Sequence, residues 1–188
     1  LAGWKHAPDT TNWIAVNGIL KHTGQPGATK DLWTEKSFKD FILLFFWSWS
    51  GRGPIKSQPK VKPDRTENGR GENEELDSGI YLRGSAKSQV NLWNWPIGSG
   101  EVYGYRTDPK MSAEVKAGVT PKTNADRPIG EWNRTMITLK GDRLTVVING
   151  KTVIENAQLP DIPAEGPIAL QYHGGAIDFA NIWIKEKP

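Results

Sequence analysis

Four short segments carry polar and aromatic side chains in one alternating phase, and that phase is where the chain can do chemistry. In Asp77-Ser78-Gly79-Ile80-Tyr81-Leu82-Arg83, Ile80 and Leu82 take the inward phase of a strand and turn Tyr81 and Arg83 to the other face. In Gln89-Val90-Asn91-Leu92-Trp93, Val90 and Leu92 go inward and leave Gln89, Asn91 and Trp93 outward. The same alternation groups Glu101, Tyr103 and Tyr105, with Arg106 next in the chain, and sets Gln171 and His173 with Ala169. Trp95 adds a second indole just past Trp93. Indole and phenol rings stack on the C–H faces of a pyranose, while amides, arginine and carboxylate bond its hydroxyls. An ordinary solvated sheet face would explain the amides. Exposed indoles need more reason than that, whereas Trp47 and Trp183 read as core filler.

Other chemistries lack their residues. Conventional glycoside hydrolysis needs two carboxylates at a set separation, and no strand carries the Glu-x-Asp-x-x-Glu spacing of the sandwich glucanases. Glu72, Glu74, Glu75 and Asp77 cluster, but they read as solvated charge ahead of a strand. His6, His22 and His173 are scattered without a metal-binding spacing. The sequence therefore predicts no cofactor and leaves room only for a structural divalent cation held by distant loops. No Gly-x-Ser-x-Gly elbow marks a serine nucleophile. Asn133-Arg134-Thr135 matches a glycosylation sequon of the kind that arises by chance.

The elements that must position these residues read as β. The 188 residues suit one domain, and 9 Trp with 20 Gly and 13 Pro suit short strands joined by tight turns. Asn17-Gly18 and Asn149-Gly150 are hairpin turns, and 134–154 reads as a three-strand meander through Gly141-Asp142. From Phe41 to Trp47 both alternating faces are apolar, which marks a central strand; the run is too short to span a membrane. Residues 51–76 and 107–128 read as long surface loops, the second with one helical turn near Ser112 to Lys116. Ile168–Tyr172 and Ile177–Ile184 read as a closing hairpin around Gly174-Gly175, bringing the total to about eleven strands. The fold class expected is all-β, a two-sheet antiparallel jelly-roll sandwich over 1–188. A net charge of only +3, with signs interspersed, argues against nucleic acid as a partner. The absence of cysteine leaves the redox compartment open, and no signal peptide begins at Leu1.

An ordered set of motifs then resembles one family. Ser78-Gly79-Ile80-Tyr81-Leu82-Arg83-Gly84, Gln89-Val90, Gly100-Glu101-Val102-Tyr103, Gly130-Glu131-Trp132-Asn133, Ile148-Asn149-Gly150, Gly166 to Gly174 and Phe179-Ala180-Asn181-Ile182 are similar to the 3-keto-disaccharide hydrolase domain. The resemblance implies a concanavalin A-like sandwich, export from a bacterial cell, and glycosidase activity on disaccharides or glycosides, oxidised 3-keto sugars in particular. In such a sugar the keto group acidifies the C2 proton, a base removes it, the C1 substituent is eliminated and water adds. His173 or Glu101 is the expected base, Arg83 or Lys87 the enolate partner and Tyr103 the aid to the leaving group. Tyr81, Gln89, Asn91, Trp93, Trp95, Tyr105, Arg106 and Gln171 are the expected sugar contacts. One position departs: where the family has Tyr-Glu-x-Gln, this chain has Ala86-Lys87-Ser88-Gln89. If that glutamate is the family's base, its role here is lost or passes to Glu101 or His173. The competing readings are a carbohydrate-binding domain using the same face without catalysis, and a structural adhesion domain whose face another chain or the 51–75 loop covers.

Overall fold

A computed structural model describes residues 1–5, 12–25, 30–62 and 64–186; His6 lies outside the described residues. Among them the strands are β1 (Trp13–Val16), β2 (Ile19–His22), β3 (Leu32–Phe38), β4 (Phe41–Trp49), β5 (Ile55–Val61), β6 (Glu67–Glu74), β7 (Asp77–Leu82), β8 (Ser85–Trp93), β9 (Asn133–Lys140), β10 (Arg143–Ile148), β11 (Lys151–Gln158), β12 (Gly166–Leu170) and β13 (Ile177–Glu186). Two short helices, α1 (Tyr103–Arg106) and α2 (Ala113–Gly118), follow β8.

The strands form an antiparallel sandwich. One sheet has the order β1-β2-β13-β4-β9-β10-β11 and the other β3-β12-β7-β8. Alternation sends Phe41, Leu43, Phe45 and Trp47 of β4 into the core against Ile80, Leu82, Val90 and Leu92 of the small sheet, all essentially buried. β4 lies between β13 and β9, and its other face, Ile42, Leu44 and Phe46, is partly buried on the outside of the large sheet. Asn17 and Gly18, and again Asn149 and Gly150, take the positive φ angles their hairpins require. The expected helical turn is α2, with the Ser112 hydroxyl accepting from Val115 N at its start. No helix among the described residues is long and apolar enough to cross a membrane.

Four expectations are corrected. The stretch 51–76 is not a loop: β5 and β6 pair as a separate two-stranded ribbon. Water bathes most of the ribbon, so it lacks the apolar alternation that betrays a strand. β12 and β13 are not a hairpin, because they lie in different sheets and residues 171–176 cross between them. Glu101 to Arg106 is not a strand but a crossing segment that turns into α1. Trp183 is 66% exposed on the outer face of the large sheet instead of filling the core. The sequon is sealed, with Asn133 and Thr135 buried and the Thr135 hydroxyl accepting from Trp47 Nε1 at 2.9 Å.

Candidate functional site

The outer face of the small sheet carries the residues in three cross-strand rows. Trp33, Ala169, Tyr81 and Gln89 are successive partners across β3, β12, β7 and β8. In the next row Gly79 faces Asn91 while Gln171 donates its backbone N–H to Gly79 O, and in the third Asp77 faces Trp93. Gly79 is required there, because a Cβ would stand 2.2 Å from Gln89 Nε2 and drive that amide off the floor. A cleft of about 390 Å³ opens over these rows, lined by Asp77, Gln89, Asn91, Trp93, Tyr103, Gln171 and His173. That size is within the range of small-ligand sites.

The floor is a connected amide network. Gln171 Oε1 accepts from Gln89 Nε2 at 2.5 Å, and the Gln171 side chain also bonds Tyr81. Tyr81 is largely buried and stacks on Trp33 with centroids 5.6 Å apart. Burial, reinforced by the nearby carboxylates of Asp31 and Asp77, pushes its phenol up while the Gln171 bond opposes. Below Asn91 sits Glu101, fully buried, whose Oε1 accepts from Asn91 Nδ2 at 3.1 Å and whose Oε2 accepts from Arg106 Nε. Burial pushes the Glu101 carboxyl up to about 7 despite Arg106 and Asn91. Burial pulls on Arg106 in the other direction, but Glu101 and Glu67 hold it above its ordinary value.

At the mouth, Asp77 Oδ2 lies 3.6 Å from His173 Nδ1. Burial pushes the Asp77 carboxyl up to about 6, with His173 opposing and Glu75 reinforcing. His173 is half exposed on the segment that crosses between the sheets, and that segment is fixed where Tyr172 N donates to Asp31 Oδ1 at 2.8 Å. Three lining residues each carry a buried polar atom without a hydrogen-bond partner among the described residues: Asp77 Oδ1, Asn91 Oδ1 and Trp93 Nε1.

The cleft thus gathers Gln89, Asn91, Trp93, Tyr103, Gln171 and His173 from the sequence-derived set, with Tyr81 in its floor. The remainder stand elsewhere. Arg83 is buried at the end of β7, where its guanidinium donates to Lys39 O, Gly141 O, Pro163 O and Asp40 Oδ1. It sits at a positive φ of 50° in the β7–β8 turn, so strand alternation does not apply to it. Lys87 shares the face of Gln89 but lies beyond the cleft, bonded to Asp108 at 2.7 Å and over the Tyr105 ring at 4.8 Å. Tyr105 is buried with its hydroxyl donating to Pro160 O, and burial pushes its phenol up to about 12. Trp95 is buried behind Trp93, and Arg106 packs over its ring at 5.3 Å. Glu101 is beneath the floor and off the lining.

Asp77 is absent from the sequence-derived set because, beside the acidic residues before it, it reads as solvated charge. Its spacing from Gly79 and Tyr81 puts it in the outward phase, and that signal was available. Glu74 is likewise buried, accepting from Gly53 N at 2.7 Å and pairing with Arg52 at 2.8 Å. Among the described residues no three His, Asp or Glu side chains gather as a metal site.

Several solved structures share this fold. Two from Parabacteroides distasonis ATCC 8503, provisionally named glycosyl hydrolases, align with TM-scores of 0.62 and 0.63 at 18% and 19% identity. The first alignment covers 99% of this chain and 89% of the other, the second 98% and 94%. The carbohydrate-binding module CBM66 from Bacillus subtilis aligns at 0.59 and 15% identity, covering 98% of this chain and 96% of that one. No curated protein matches the chain. The family assignment comes from sequence: residues 1–185 match the 3-keto-alpha-glucoside-1,2-lyase-like domain, and the chain belongs to that family.

Proposed function

We propose that the cleft holds a neutral sugar ring and that His173, backed by Asp77, acts as the base on a 3-keto-glycoside. The contact between those two residues at the mouth of a cleft otherwise lined by amides and aromatics carries the reading. No lysine or arginine lines the cleft, which disfavours acidic sugars. His173 takes the C2 proton, and the electron pair passes into an enolate on the C3 oxygen. The enolate collapses, expelling the C1 oxygen substituent and leaving a C1–C2 double bond beside the ketone. The imidazolium returns its proton to the departing oxygen, with Tyr103 also lining the cleft. Water then adds across the double bond, so the sum is a 3-keto-glycoside plus water giving a 3-keto sugar and an alcohol. Arg83 and Lys87 do not line the cleft, so the enolate-stabilising part expected of them passes to the side-chain amides that do.

A carbohydrate-binding domain without catalysis is the second reading. It is favoured by Glu101, the other expected base, being sealed under the floor with its charge engaged by Arg106. The test is release of a chromogenic alcohol from 3-keto-glucosides and from the parent glucosides. Turnover of the keto compounds alone, lost in His173→Ala and reduced in Asp77→Asn, supports the enzyme. Saturable binding of both without turnover establishes the second reading instead.

A further inference from the structure

A second cleft, of about 400 Å³, lies at the end of β4 and includes Ser48, Arg52, Ile129, Gly130, Trp132 and Asp178 in its lining. Asp178 and Ser48 are cross-strand partners in the phase that points away from the core, since Ile177 and Trp49 beside them are buried in it. This cleft therefore opens from the large sheet, not from the face that carries His173.

Its exposed feature is an indole held out on a fixed turn. Trp132 is 38% exposed and has neither a ring contact nor a hydrogen-bond partner among the described residues. The turn that presents it closes with Glu131 N donating to Pro128 O at 3.0 Å, and Gly130 supplies the φ of 92° it needs. Asn133, the next residue, is buried and its Oδ1 accepts from both Arg127 N and Asn149 Nδ2 at 2.8 Å. The backbone that carries the ring is thus fixed, and more than a third of the residue faces water, an arrangement that binding rewards. Around it stand donors and acceptors of both signs. Arg52 is mostly exposed but tethered to Glu74 at 2.8 Å, and the Asp178 carboxylate is held 3.5 Å from Lys21.

We propose that this cleft is a saccharide-binding site separate from the His173 cleft. The sugar's C–H face stacks on Trp132, and its hydroxyls bridge the Arg52 guanidinium and the Asp178 carboxylate. A flat aromatic ligand would use the indole and leave both charged groups unemployed, so the class is a neutral sugar ring within an oligosaccharide. The site does not depend on whether the other cleft is catalytic.

The test is titration of the ¹⁵N-labelled protein with cellotriose, maltotriose and N,N′-diacetylchitobiose, followed through its indole N–H signals, with free indole as the aromatic control. Saturable movement of the Trp132 signal and of the backbone at 48–52 with one of these sugars is expected. Trp132→Ala should weaken binding at 48–52 about tenfold or more, and Trp132→Phe less, while the Trp93 signal still reports the first cleft. Because Trp132 is only 38% exposed, binding of Trp132→Ala and Trp132→Phe is compared at a temperature where both are folded, checked by their melting curves. Stationary signals at Trp132 and 48–52 with every sugar, or movement with indole alone, overturn the proposal whatever Trp93 does.

Discussion

The indole rings of Trp93 and Trp95, two positions apart, stack with centroids 4.6 Å apart and planes 12° from parallel. The outer ring lines the cleft and the inner one is buried with Arg106 over it, so the binding surface of Trp93 is held from behind. Replacing Trp95 by alanine should cost about 3–5 kcal/mol of stability through the cavity it leaves. It should also weaken sugar binding roughly tenfold without removing a contact to the ligand. Calorimetric titration at a temperature where the variant is folded checks this, and unchanged affinity would show that the stack is only core.

Activity should follow the charge on Asp77. Burial holds this carboxyl protonated until about pH 6, so the carboxylate that backs His173 forms as pH rises through that value. kcat/KM on a 3-keto-glucoside should climb between about pH 5 and pH 7, and Asp77→Asn should lower its plateau and shift that limb, because the carboxylate no longer backs the imidazole. A profile unaltered by the substitution would detach Asp77 from the chemistry.

Much of this arrangement could be read from alternation alone. Ile80, Leu82, Val90 and Leu92 fix the phase of β7 and β8, and from that phase Gln89, Asn91 and Trp93 follow. Reading fails where the backbone leaves the strand. Arg83 sits in a left-handed turn, and Glu101 to Arg106 coils into α1, so counting by twos misplaces both. The β5–β6 ribbon escaped because a hairpin wet on most of its surface buries too little apolar area to leave a pattern. Asp77 escaped because charge beside charge looks like surface, and only the strand register shows it facing Trp93.

Stability should be greatest in mildly acidic solution. The unfolded chain releases carboxyl protons near pH 4, whereas burial keeps Asp77 and Asp126 protonated to about 6 and Glu101 to about 7. Folded pKa values above the unfolded ones mean that the folded state binds more protons, so these groups withdraw stability as pH rises from about 4 to 7. His22 works against them, because burial lowers its pKa and stability falls as it is forced to charge below about pH 6.5. With Asp31 shifted up by burial as well, the raised carboxyls outnumber the one imidazole and give a net fall in the urea midpoint between pH 5 and pH 8. Glu101→Gln should flatten that slope, and a midpoint that rises with pH would contradict the assignment.

Arg83 is a structural cation. Its guanidinium ties β7 to three carbonyls and to Asp40, so Arg83→Ala should cost about 3–5 kcal/mol. Under conditions where the variant remains folded, ligand affinity at the His173 cleft should match the wild type. A selective loss of affinity at full stability would return Arg83 to the site.

Lys87→Glu places the family's residue at the position where this chain departs from it. The side chain points to Asp108 and Tyr105, so the substitution sets two carboxylates together outside the cleft. Turnover of a 3-keto-glucoside should not increase, and stability should fall by less than about 1 kcal/mol, as for a partly exposed pair. Any gain in turnover would show that the position reaches the substrate.

Beside the cleft, part of each margin of the small sheet is covered by irregular chain. On the β8 side, residues 100 and 101 bond Asn91 through Gly100 N to Asn91 O at 2.8 Å and Asn91 N to Glu101 O at 2.9 Å. On the β3 side, Glu35 N donates to Gly3 O at 2.9 Å and Lys5 N to Trp33 O at 2.8 Å. Irregular chain thus occupies the backbone groups by which a sheet recruits a further strand. A protein that keeps aromatic rings in the open on this face would otherwise offer an edge for self-association. With each margin interrupted at these points, a partner finds side-chain chemistry on the face more readily than a ladder to extend.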